Sequence, residues 1–136
     1  MSPTVKNIIV FIGALVAGGI VVFGLESLSH QIFPPPSDIN PNDLESLKSI
    51  MKNAPAGSLA LVILAHAAGA MFSGWIIGRF AASSHRLLAM GMGLLWTITG
   101  VANLVMIPHP VWFSIADACV YLPMTLLGLK LATKTT

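Results

Sequence analysis

Charge is what this sequence has least of. Only 9% of its 136 residues are Asp, Glu, Lys or Arg, against about 25% in an ordinary soluble domain. Seven cations and five acids cannot cover the surface of a water-soluble globule of this size. The shortage excludes an ordinary soluble enzyme, a disordered tail and a nucleic-acid-binding domain. The pI near 9.0 comes from dispersed cations with no phosphate-tracking stripe, so no nucleic-acid partner is expected. Cysteine is nearly missing too. Cys119 alone excludes an intrachain disulfide or a Cys-rich metal site, and its apolar surroundings predict a small buried hydrophobe. There is no Gly-rich phosphate loop, no His-x-x-x-His pair, no Cys-x-x-Cys and no nucleophile elbow. Nothing in the residues asks for an enzyme, and no cofactor is expected.

What the sequence has in quantity is apolar length: 55% hydrophobic residues and a mean hydropathy of +0.84. A spanning helix needs about 20 mostly apolar residues, because the hydrocarbon core is roughly 30 Å thick and each residue rises about 1.5 Å. Four stretches qualify, at about 8–28, 59–80, 87–107 and 111–131. The first could be read as a secretory signal behind Lys6. Its apolar region exceeds the usual ~7–15 residues and no clear small-x-small cleavage site follows, so a retained helix is expected. The fold expected is therefore all-α, a four-helix transmembrane bundle forming one domain over 1–136.

Cations in short loops set the orientation. Arg79 and Arg86 flank the short connection between spans two and three, whereas Pro108-His109-Pro110 between spans three and four has neither Lys nor Arg. With Lys6, Lys130 and Lys134, this predicts both termini and the 79–86 connection to be cytoplasmic. Lys48 and Lys52 vote the other way, from a longer loop with acidic neighbours.

That outer loop, 29–57, reads as a structured element. Pro34-Pro35-Pro36 must be extended. Asn40 as N-cap, Pro41 at the first helical position and Asp43 three residues on form a capping-box-like start, with Ile39 and Leu44 at the staple positions. Leu44, Leu47, Ile50 and Met51 then share one face. The segment is expected to be a short amphipathic helix that lies on the outer membrane interface or caps the bundle, as a fixed lid or as a moving, partner-docking element.

Small residues mark helix seams, since lipid gives apolar helices no hydrophobic reason to associate. Ala70, Gly74 and Gly78 recur every four residues on span two. Span one carries Gly13, Ala14, Ala17, Gly18 and Gly19, and span three Gly91, Gly93 and Gly100. These predict close helix contact, within one chain or between copies in a homo-oligomer or larger membrane complex.

The intramembrane polar residues gather toward the outer leaflet. Asp117, His66, Asn103 and Thr99 all fall within roughly 12 Å of the outer end of their spans, counting 1.5 Å per residue, and Glu26 lies near the outer end of span one. Such groups are costly in a membrane, face the bundle and find partners. Asp117 leads the candidates, on a face shared with Phe113, Tyr121 and Met124. Its possible partners are His66, Asn103 and Thr99. Three readings stay open: a hydrogen-bond network that fixes register, a proton- or ion-linked site, and a metal or small-molecule site. Glu26 and His30 are spaced i, i+4 and could, with His109 or Asp117, ligate a metal at the outer face; an ordinary stabilising pair explains the spacing equally. His85 is expected in an interfacial loop. Trp112 suits the interfacial belt and Trp96 the bundle interior.

Four passages together, Glu26 to His30-Gln-Ile-Phe-Pro-Pro-Pro36, Pro41-Asn-Asp43, Leu64-Ala-His-Ala-Ala-Gly-Ala70 and Asn103 to Pro108-His-Pro-Val-Trp112, resemble a family of small, uncharacterised bacterial integral membrane proteins with four spans. The resemblance covers nearly the whole chain. It implies the same topology in a bacterial inner membrane and brings no activity, substrate or cofactor.

Overall fold

A computed structural model describes residues 1–40 and 42–134. It contains five α-helices in chain order: α1 (Pro3–Ile32), α2 (Leu44–Asn53), α3 (Ala56–Phe80), α4 (His85–Met106) and α5 (Val111–Lys134). All except α2 are long and apolar enough to cross a membrane. The described residues are helical or irregular, with no strand.

Helix α1 starts where Ser2 accepts a hydrogen bond from the Val5 amide and Pro3 occupies the first turn. Its N-terminal end is tied to the α3–α4 turn: Asn7 accepts from the Ala82 amide at 2.8 Å and donates to the Ser83 carbonyl and hydroxyl at 3.3 and 3.2 Å. Helix α3 is central and packs against the other three spans. Helix α5 packs on α3 and α4, while α1 lies on α3, brushes α4 and does not reach α5. The bundle thus has a basic end, with Lys6, Arg79, Arg86, Lys130 and Lys134, and an opposite end that carries the 33–55 loop and every acidic residue outside the spans.

Backbone contact draws α3 and α5 together. A methyl group at Gly74 would run into the Thr125 backbone, and one at Gly128 into the Met71 carbonyl and the Trp75 amide. A matching pair sets the α1–α3 crossing, where a methyl at either Gly18 or Gly69 would lie 2.8 Å from the other's carbonyl oxygen. The seam predicted at Ala70, Gly74, Gly78 and Gly18 is therefore packed within the chain, with Gly78 half-buried beside Ala132 and Leu129. Gly13 is different: nothing lies within 4 Å of the place its side chain would occupy, and the residue is exposed, as is much of α1. Ala17 is half-buried. The apolar core of Ala14, Ile77, Ala89 and Met92 fills the basic half of the bundle.

Two expectations about the loop need correction. The short helix begins at Leu44, with Asp43 as its N-cap accepting from the Ser46 amide at 3.0 Å and the Ser46 hydroxyl at 2.8 Å. Those bonds stabilise the carboxylate and hold its pKa below the usual 3.8. Asn40 is not the cap, because its side chain accepts from the Asn42 amide and closes a local turn instead. Pro41 lies outside the described residues. The second concerns the lid: no Cα of the four spans comes within 8 Å of α2, so α2 is not packed closely on the bundle, and Leu47, Ile50 and Met51 of its apolar face are only half-buried. Cys119 is likewise not buried but exposed on the outside of α5, since the buried positions of that helix run Phe113, Asp117, Tyr121, Thr125, Gly128 and Ala132.

Candidate functional site

Four side chains from three helices meet in the half of the bundle away from the basic end. Asp117 and Tyr121 lie one turn apart on α5, both only 2% exposed. The Tyr121 hydroxyl donates to Asp117 Oδ2 at 2.9 Å. His66 of α3 stands between helices: its Nδ1 lies 2.6 Å from Asp117 Oδ1 and 2.9 Å from the Tyr121 oxygen, and its Nε2 lies 3.3 Å from Glu26 Oε1 of α1. An imidazole is thus held between two carboxylates, one on each ring nitrogen.

The glycine crossings dictate this meeting. Since α1 and α3 run antiparallel and touch at Gly18 and Gly69, Glu26 lies about two turns and His66 about one turn to the same side of the crossing, and the two side chains close the remaining offset because each leans toward the N-terminus of its own helix. On α5, the stripe that brings Thr125 and Gly128 against α3 continues upward through Tyr121 and Asp117. Close approach also leaves room for the phenol: a methyl group at Gly100 on α4 would lie 2.5 Å from the Tyr121 ring. Trp96 stacks on the same ring, with planes 2° apart and centroids 6.3 Å apart.

Beneath this layer is a second polar contact. Trp96 Nε1 donates to Ser73 Oγ at 3.3 Å, and the Ser73 hydroxyl bonds to the carbonyls of Ala14 at 2.8 Å and Gly69 at 3.0 Å. It joins α1, α3 and α4 and seals the polar layer from the apolar core. Among the described residues, no buried side-chain nitrogen or oxygen lacks a hydrogen-bond partner. The most exposed side chain of the layer is Glu26, at 33%, compared with 15% for His66 and 3% for Asp117. Two surface grooves, one of about 390 Å³ beside Phe72 and Trp75 and one of about 510 Å³ beside Arg86 and Lys130, are lined by other residues.

Of the residues singled out by sequence, the structure brings together His66, Asp117 and Tyr121. It does not bring in Asn103 or Thr99. Thr99 bonds back to the carbonyls of Leu95 and Trp96 on its own helix, and Asn103 is exposed. Their shared face of α4 points away from α5, because Gly93 and Gly100 occupy the contact face. The Glu26–His30 pairing is also absent: Glu26 turns to His66, and His30 is exposed. His109 stacks on Phe113 and bonds to the Ile107 carbonyl, within its own turn. Glu26, His30 and His109 therefore do not converge, and among the described residues no three potential ligands could hold a metal ion. Glu26, His66 and Asp117 do meet, but the carboxylates face opposite ring nitrogens and share no common point for an ion. His85 opens α4 rather than sitting in a loop, Trp96 is half-buried in the bundle, and Trp112 is exposed near the far end.

The sequence reading missed Glu26 as the partner of His66, and Ser73 with Trp96. A signal for Ser73 was present: it follows His66 by seven residues, two turns on, and so shares its face. Comparison with protein-family models, with curated proteins and with solved structures finds no match for the chain.

Proposed function

We propose that this chain is a non-enzymatic membrane module, working as a self-associated or complex-associated helical unit, with both termini and the basic end on the cytoplasmic side of a bacterial inner membrane. The observation that carries the reading is the self-sufficiency of the polar layer. Asp117 spends both oxygens and His66 faces a carboxylate with both nitrogens, so the groups are bound to one another rather than held ready for a substrate. Ionisable residues are kept inside membranes at high cost, and here they link α1 to α5, which share no backbone contact, through His66 of α3. The layer acts as a clamp. Association with other chains falls to the outer face of α1, where Gly13 and Gly24 are exposed and a methyl group at either would meet open space.

One feature favours the alternative of a proton- or ion-linked site, with His66 and Asp117 as the inner residues: the clamp is open at Glu26. Proteoliposomes loaded with a pH-sensitive dye separate the two readings. The clamp reading expects proton flux equal to that of empty liposomes for wild type and for Asp117→Asn. Wild-type flux above empty liposomes, abolished by Asp117→Asn, would overturn it in favour of transport.

A further inference from the structure

We infer that the groove between α4 and α5 at the basic end binds an anionic phospholipid, with the phosphate held by Arg86 and Lys130 and an acyl chain against Leu126 and Leu129. The groove is an open surface depression of about 510 Å³, lined by His85, Arg86, Leu126, Leu129, Lys130 and Thr133. The apolar wall begins level with the cations, at Leu129, and continues inward to Leu126. Because α4 begins at His85 and α5 ends at Lys134, Arg86 and Lys130 lie at the membrane edge, while Leu126 lies a turn deeper than Lys130. A charged rim above an apolar wall matches a lipid, with a phosphate at the interface and a chain beneath it.

Charge complementarity points to an anion. Every acidic residue of the chain, Glu26, Asp38, Asp43, Glu45 and Asp117, lies in the other half of the molecule or its loop. Among the described residues, Arg86 and Lys130 have no carboxylate within ion-pair distance, unlike Lys48, which holds Glu45 at 2.8 Å. The start of α4 adds to the field: its N-cap Ser84 makes no side-chain hydrogen bond to the helix, and no acidic residue stands in the first turn. The positive end of that helix dipole is therefore left uncompensated beside the groove. A free phosphate would satisfy the cations and leave the leucine wall unused, so the lipid is the occupant that uses both.

Native mass spectrometry of the whole chain, released from micelles doped with phosphatidylglycerol or with phosphatidylcholine of the same acyl chains, tests this. Wild type is expected to retain phosphatidylglycerol in clear preference. Each cation near an anionic headgroup contributes roughly fivefold, so Arg86→Gln with Lys130→Gln is expected to weaken retention roughly 25-fold, to the level of phosphatidylcholine. Lys48→Gln with Lys52→Gln removes the same charge at the other end and is expected to leave retention unchanged. The charge-keeping pair Arg86→Lys with Lys130→Arg is expected to retain the lipid, which separates lost charge from lost fold. Equal retention of the two lipids, retention surviving the glutamine pair, equal loss in both glutamine pairs, or displacement by millimolar inorganic phosphate would each overturn the lipid site.

Discussion

Asp117 shows how little room a membrane interior leaves for an ionisable side chain. A charge at that depth is tolerable only when it is paired and hydrogen-bonded, and Asp117 has both His66 and Tyr121. Removing one partner of such a pair leaves the other uncompensated, a loss of about 3–5 kcal/mol in buried pairs. A side-chain hydrogen bond within a membrane protein averages only about 0.6 kcal/mol and reaches about 1.7 kcal/mol, and Tyr121→Phe leaves the Asp117–His66 pair in place. The two substitutions should therefore separate: Asp117→Ala is expected to cost several times more than Tyr121→Phe when unfolding is followed by titration with SDS in mixed micelles. Equal, small losses from both would mean that the clamp holds nothing together. That Asp117 needed a partner was legible from its depth. Which partner it takes was not, because His66, Asn103 and Thr99 lie at similar depths and only helix rotation decides among them.

At the scale of the helix, α3 is defined by what it lacks. Gly69 and Gly74 let two neighbours approach to backbone contact, α1 on one side and α5 on the other. Each contact then fixes a register, and each register delivers a side chain to His66. Gly74→Ala places a methyl group against the Thr125 backbone, which cannot yield as a flexible side chain would; overpacking of this kind costs about 1–3 kcal/mol. Gly13→Ala meets open space and is expected to be neutral or to stabilise α1 by up to about 1 kcal/mol through helix propensity. The same SDS titration reads both, and a Gly74→Ala protein as stable as wild type would contradict the α3–α5 contact. The spacing of the small residues was plain in the sequence, yet it did not say which partner each seam takes. Nor did the capping pattern of the loop place the start of α2, since Asn40 and Asp43 are both good caps and the local turn claims Asn40.

For the whole molecule, the distribution of charge sets the frame. Five cations collect at the end where Asn7 meets the α3–α4 turn, and the acidic residues lie in the other half. The proposed orientation follows from the preference of cationic loops for the cytoplasm. In a Cys119→Ser background, Ala82→Cys is expected to react with a membrane-impermeant maleimide only after inverted vesicles expose the cytoplasmic face, and Ser37→Cys only in intact spheroplasts. The reverse pattern would invert the topology and move the lipid groove to the opposite leaflet. The bundle is also lopsided, with α3 shielded on three sides and α1 on little more than one, so α1 is the span most available to lipid or to another chain.

Composition and the lengths of the apolar runs alone determined that this is an all-α chain with four helices able to span a membrane, because a bilayer admits few ways to satisfy a buried backbone. The same low charge count drew attention to Asp117 and His66. Only the tertiary structure decided that Glu26 completes the site, that Thr99 and Asn103 stay outside it, and that α2 is not closely packed on the bundle. Those outcomes depend on how each helix is rotated and how deeply it sits against its neighbours. The backbone contacts at Gly18, Gly69, Gly74 and Gly128 set both, and they exist only once the helices have met.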